Sequence, residues 1–171
     1  MTKSPFTGHG ERVNELLGLV HTDVCGPMTT QAREGYSYFI TFIDDLSRFG
    51  HVYLMKYKSK AFDKFKEYQS MVEKQTRHSI KALRSDQGGE YLFGEFLNHL
   101  KDKGIISESN PYTSQLNGVA ERRNCTLLDM VRSMMSFIDL FISFWGHALK
   151  TTAHILNRVP SKSVSSTPYE L

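Results

Sequence analysis

The stretch Leu16-Leu-Gly-Leu-Val-His-Thr-Asp-Val-Cys-Gly-Pro27 is followed by Tyr36-Ser-Tyr-Phe-Ile-Thr-Phe-Ile43 and then by His51-Val-Tyr-Leu-Met-Lys-Tyr57. Each segment is mostly apolar, β-branched or aromatic. The first stops at the turn Cys25-Gly26-Pro27 and the second at Asp44-Asp45, so both read as buried strands. The turn Ser47–Gly50 makes the second and third strands a hairpin. Strict βαβ alternation would begin directly after the first strand, and here it does not. A doubly wound nucleotide-binding sheet is therefore not expected, and Gly88-Gly89 matches neither a Walker A loop nor a dinucleotide fingerprint.

Beyond Tyr57 the apolar period changes. Phe62, Phe65, Tyr68 and Val72 recur at helical spacing between Ser59, an expected N-cap, and about Thr76. Ile80–Arg84 reads as a short strand running into Asp86. A helix with Phe93, Phe96, Leu97 and Leu100 on one face follows and closes at Gly104, and Ile105-Ile106 supplies one more strand. A long helix begins near Asn117 and continues through Met134, and a last helix runs from about Ser143 to Asn157. The order βββαβαβαα predicts an α/β domain with a mixed five-stranded sheet and helices on both faces. The expected divisions are a linker or tail at 1–15, a core at 16–159 and a truncated C-terminal tail at 160–171.

A chain of 171 residues can bury one core without staples, and 40% hydrophobic content excludes a disordered class. The net charge of +3 is too small to identify a nucleic-acid partner. Its distribution is uneven: Lys56 to Arg84 holds nine Lys/Arg against Asp63, Glu67 and Glu73. On charge alone that segment reads as a solvated helix face. Cys25 and Cys125 lie far apart and the seven histidines are scattered, so no zinc site is expected in this fragment. No stretch approaches membrane-spanning length and no secretory signal opens the chain, so a soluble intracellular domain without a membrane partner is expected.

Three acids stand out by position. Asp23 lies inside an apolar strand, Asp86 ends another, and Glu121 falls in the first turns of the long helix. Taken singly, each has an ordinary explanation: a strand-end hydrogen bond, an Asp turn, and a favourable helix dipole. Together, two strand ends and one helix start could meet at one sheet edge. Three hard oxygen ligands suit Mg²⁺ or Mn²⁺, and a pair of such ions supports phosphoryl transfer.

Six phrases stand in order: His21-Thr-Asp-Val-Cys-Gly-Pro27, Phe42-Ile-Asp-Asp-Leu-Ser-Arg48, Leu83-Arg-Ser-Asp-Gln-Gly-Gly-Glu-Tyr91, Asn117-Gly-Val-Ala-Glu-Arg-Arg-Asn124, Ser143-Phe-Trp145 and Leu156-Asn-Arg-Val-Pro160. With them the chain resembles the integrase catalytic core of copia-type LTR retrotransposon Pol polyproteins of plant style, a retroviral-integrase-like branch of the RNase H-like superfamily. The resemblance implies an RNase H-like fold and a polynucleotidyl transferase and endonuclease acting on DNA, by phosphodiester cleavage and 3′-hydroxyl strand transfer. It implies Asp23, Asp86 and Glu121 as catalytic residues and as ligands of two Mg²⁺ (or Mn²⁺) ions, with no small-molecule cofactor. DNA contacts are expected from Tyr112, Gln115, Asn117, Arg122 and Arg123. Homo-oligomers on DNA and a nuclear site of action are implied by the family as well. Asp44 and Asp45 are read as strand-end and turn hydrogen-bonders rather than metal ligands.

The chain departs from the family pattern in three places. It has 34 residues between Asp86 and Glu121 where the family usually has 35, Cys125 where Arg is common and Phe141 where Pro is common. The family's zinc-binding segment would lie before Met1. These departures motivate an alternative, a catalytically decayed or co-opted RNase H-like module that binds DNA or a partner. A cellular RNase H would share the fold and metals but would not account for the Asn117–Asn124 phrase.

Overall fold

The computed structural model describes residues 13–86, 88–91, 94–109, 118–160 and 166–170. The expected order of elements is found: β1 (Val20–Cys25), β2 (Tyr38–Asp44), β3 (Gly50–Met55), α1 (Ala61–Thr76), β4 (Ala82–Ser85), α2 (Gly94–Asp102), β5 (Ile106–Ser109), α3 (Gly118–Ile138) and α4 (Trp145–Leu156). The strands form one sheet in the order β3-β2-β1-β4-β5. β1, β2 and β3 pair antiparallel, while β4 joins β1 and β5 joins β4 in parallel. Parallel neighbours need a crossover, and α1 and α2 supply it.

Side-chain alternation along β1 and β2 sorts the core into two layers. On one face Val20, Ile40 and Phe42 pack against Phe65, Tyr68 and Val72 of α1 and Phe96 and Leu100 of α2. The Phe42 and Tyr68 rings stack there with centroids 4.6 Å apart. On the other face Phe39 meets Leu127 and Val131 of α3 and Trp145 and Leu149 of α4. The Trp145 indole N–H, which a buried indole must satisfy, donates to the Thr30 carbonyl at 2.7 Å.

Three local expectations are revised. β1 begins at Val20 rather than Leu16, because Leu17 adopts a left-handed φ of 60° and gives its N–H to Asp44 Oδ1 at 2.8 Å. Ser59 does not cap α1: it sits inside a 3₁₀ turn, Lys58–Lys60, that runs directly into the helix. β5 reaches Ser109, beyond the apolar Ile105-Ile106 pair, since the parallel ladder continues and Glu108 forms an ion pair with Arg84 on its partner strand. The glycine stop of α2 holds: Gly104 has φ 68°, and the Ile105 N–H reaches the Leu100 carbonyl at 2.8 Å. Along α1 and at its N-cap, Lys64, Lys66 and Lys60 pair with Glu67 and Asp63 about one turn apart, as a solvated helix face does.

The end of α4 is tied to the edge strand by one buried side chain. Asn157 accepts the Gly50 N–H through Oδ1 and donates Nδ2–H to the Gly50 carbonyl, both at 2.8 Å. Replacing Asn157 by Ala leaves two buried backbone groups without partners. The expected loss is about 2–4 kcal/mol of unfolding free energy, measurable by urea denaturation at neutral pH.

Candidate active site

The parallel register sets two of the acids side by side. Val20 lies opposite Leu83 and His21 opposite Arg84. Two residues further along each strand stand Asp23 and Asp86, at the same end of adjacent strands. The chain then turns tightly, with the Gly88 N–H on Asp86 Oδ1 and the Tyr91 N–H on the Gly88 carbonyl, each at 3.1 Å. Tyr91 is buried, and its hydroxyl hydrogen-bonds Thr22 Oγ1 at 3.1 Å. That bond fastens the Asp86 turn to β1 one residue before Asp23.

The third acid arrives on α3. This helix buries Ala120, Asn124, Leu127 and Val131, a stripe with helical spacing that faces the sheet. Asn124 is the polar member of the stripe. Its Nδ2–H donates to Asp23 Oδ2 at 3.0 Å, and its Oδ1 accepts the Thr41 hydroxyl, also at 3.0 Å. Thr41 is the residue directly opposite Asp23 on β2. Glu121, three residues before Asn124, is exposed at the helix start.

Burial, then the charge of Asp86, then that of Glu121 push the Asp23 carboxyl up to about 7, against the Asn124 hydrogen bond that lowers it. The charges of Asp86 and Glu121 thus both bear on Asp23. Among the described residues, however, no three His, Cys, Asp or Glu side chains are gathered closely enough to hold a metal ion as they stand. Cys25 is half-buried on the same face of β1, where burial and the Asp23 charge push its thiol up to about 11, whereas Cys125 is exposed on α3.

The expected DNA-contacting residues divide. Tyr112, Gln115 and Asn117 lie outside the described residues. Arg122 is exposed. Arg123 is not its exposed twin: the side chain is half-buried, and its Nη2–H donates to the Arg48 carbonyl at 2.9 Å. One helical step of 100° separates the two directions.

Asp44 and Asp45 are hydrogen-bonders, as their positions suggested. Asp44 accepts the Leu17 N–H, the Ser47 N–H and the Ser47 hydroxyl, all at 2.8 Å. Asp45 accepts His21 Nε2–H at 2.7 Å, and this bond is the main cause that holds its carboxyl below the ordinary range. Sequence reasoning missed Asn124, Thr41, Thr22 and Tyr91. Only Asn124 carried a signal, as an amide inside an otherwise apolar i, i+4, i+7 stripe.

No family model matches the chain. It is 45% identical over 157 residues to the retrovirus-related Pol polyprotein from transposon TNT 1-94 of Nicotiana tabacum, a match that covers 91% of this chain and 12% of that protein. It is 29% identical over 145 residues to the transposon Ty1-NL2 Gag-Pol polyprotein of Saccharomyces cerevisiae, covering 83% of this chain and 8% of that protein. The chain thus spans about a tenth of the length of the polyproteins it matches. Among solved structures, the HTLV-2 integrase catalytic core domain in complex with magnesium (trimeric form) superposes with a TM-score of 0.67 at 16% identity, over 90% of this chain and 95% of that one. The sheet order and helix placement are those of an RNase H-like integrase core. With that fold, and with 45% identity along nearly its whole length, the chain belongs to the copia/Ty1-type retrotransposon Pol polyproteins and represents their integrase catalytic-core region.

Proposed function

We propose that the chain is a divalent-metal-dependent DNA integrase core, which cleaves phosphodiesters and joins a 3′-hydroxyl end of retrotransposon DNA to target DNA. The observation that carries this reading is the placement of Asp23 and Asp86 at the same end of adjacent parallel strands, with the helix that bears Glu121 tied to Asp23 through Asn124. Burial first, and then the charges of Asp86 and Glu121, raise the Asp23 carboxyl to about 7, and a cation bound there would offset both the lost hydration and the repulsion. The donor set fits such a cation, since it offers carboxylate oxygens and neither thiolate nor imidazole. Asp23, Asp86 and Glu121 would hold two Mg²⁺ or Mn²⁺ ions and draw together around them. Bound there, the ions would polarise the phosphoryl oxygens and favour deprotonation of the attacking hydroxyl.

The chain's own contribution is positioning. Asn124 fixes the Asp23 carboxylate, and the Tyr91–Thr22 bond keeps the turn carrying Asp86 beside it. In the reaction, the oxygen of water or of a 3′-hydroxyl forms a new bond to phosphorus as the bond to the departing 3′-oxygen breaks. The nucleophile's proton passes to solvent, and the departing oxygen takes one up. No covalent protein intermediate is needed.

Tyr112, Gln115, Asn117 and Arg122 are proposed to contact DNA, while Arg123 acts through the Arg48 turn it supports. The HTLV-2 core's complex with magnesium and its trimeric form support Mg²⁺ as the cofactor and self-association of the core; assembly on DNA and a nuclear site of action are proposed with the integrase reading. A second reading, a decayed module that keeps the fold without catalysis, is favoured by the separation of the acids and by the 34-residue spacing.

Two measurements separate these readings. Millimolar Mn²⁺ should raise the melting temperature of the wild type by a few degrees and leave Asp86→Asn unmoved, because a ligand of the folded state stabilises it. The same variant should lose Mn²⁺-dependent nicking of duplex DNA. Absence of both the shift and the nicking in wild type would establish the decayed module instead.

The metal-free protein should also show the cost of ionising Asp23. Its folded carboxyl, at about 7, lies above the ordinary 3.8, so the folded state binds the proton more tightly. Stability therefore falls as pH rises from about 4 through 7. Asp23→Asn removes that loss while keeping an acceptor for Asn124. In EDTA at pH 7.5 it should melt on the order of 3–6 °C above wild type, and the gap should close toward pH 4.

A further inference from the structure

The helix that carries Glu121 ends in an apolar surface that neither the carboxylates nor the core accounts for. In Phe137-Ile-Asp-Leu-Phe-Ile142 every residue but Asp139 is apolar. Phe137 is 93% and Phe141 80% open to solvent, and Ile138, Leu140 and Ile142 are exposed as well. Turns hold the run in one conformation. Asp139, at φ 55°, closes α3 with a left-handed residue, and the Leu140 N–H reaches back to the Met135 carbonyl at 3.3 Å. The Phe144 N–H then bonds the Phe141 carbonyl at 2.9 Å, in the 3₁₀ turn Ile142–Phe144 that leads into α4.

Beside this run the surface is recessed. Met28, Leu128, Met135, Leu140, Ile142 and Trp145 line a cleft of about 410 Å³, with Arg132 on its wall. Leu140 and Ile142 belong to both the run and the cleft, so projection and recess share one face. Single exposed apolar side chains are ordinary, whereas a contiguous patch marks an interaction surface. The two phenylalanines alone expose roughly 350 Å². With the aliphatic side chains and the cleft walls, the face is on the scale of the roughly 800 Å² per partner that a standard interface buries.

A face that carries both a projection and a recess is self-complementary under a two-fold axis, because each copy's run can fill the other's cleft. Its charges agree. Arg132 stands on the cleft wall with only an exposed one-turn pair to Asp129 at 3.3 Å, and Asp139 lies within the run. Seating one in the other therefore brings unlike charges together. Phe141 stands where the family commonly has Pro, so the larger projection belongs to this chain's own sequence.

We propose that this face binds a second copy of the chain, in an isologous dimer in which Phe137 and Phe141 of each copy enter the other's cleft. The proposal rests on the self-association read above and deepens it by giving it a face.

The test is sedimentation equilibrium of the full chain across a micromolar concentration series, with wild type, Phe137→Ser, Phe141→Ser and Tyr57→Ser. Tyr57 is also exposed, but it lies just before α1 and away from the run in sequence, and serves as the control. Since both phenylalanines are exposed, dilute protein should melt as wild type does in either variant.

The wild-type mass should rise from 19.6 kDa and level off at twice that value. Each phenylalanine variant should raise the dimer Kd roughly 10- to 100-fold, because an aromatic anchor is lost twice per dimer, with no change for Tyr57→Ser. An unchanged Kd in either phenylalanine variant, equal losses in all three, or a mass that climbs past twice the monomer would overturn this face and leave self-association standing. A wild type that stays monomeric throughout would end both.

Discussion

Asn124 is a neutral amide set in the middle of an apolar helix face, and its two hydrogen bonds join α3 to β1 and β2 at once. A carboxylate half-buried on the central strand of a sheet needs compensation, and before any cation is considered Asn124 supplies part of it. Thr41 completes the arrangement from the neighbouring strand, so the amide is used at both ends. The orientation of α3 across the sheet, and with it the place of Glu121, follows from this contact and from the Leu127–Val131 packing that continues it.

α3 therefore serves two surfaces separated by rotation about its axis. Glu121 and Asn124 belong to the carboxylate group, while Arg123 reaches the β2–β3 turn. The same turn is fixed from β1 through His21 and from α4 through Asn157. A displacement of α3 would disturb both surfaces together, because the residues that hold it are interleaved along little more than one turn of helix.

Much of this was legible in the sequence. The three opening strands declared themselves by composition and turn residues, and α1 and α2 by period. Asp23 and Asp86 stood out as acids at strand ends. What could not be read had physical reasons. Leu17 looks like strand sequence, yet a hydrogen bond to Asp44, distant along the chain, folds it back. The polar half of β5 is held by its ladder with β4 and carries little strand signal of its own. Arg122 and Arg123 are adjacent and chemically identical, so only the helix phase assigns one to solvent and the other to the Arg48 carbonyl. Thr22 and Tyr91 are far apart along the chain, and their bond depends on the parallel register of β1 and β4.

The unequal surroundings of the two cysteines have a practical consequence. Cys25 is half-buried with its thiol pushed up to about 11, so at neutral pH it offers almost no thiolate to an alkylating reagent. Cys125 is open to solvent on α3, one turn beyond Glu121. A maleimide dye will therefore attach at a single place in the unmodified protein. That fluorophore would report movement of the helix that carries Glu121 without any engineered cysteine.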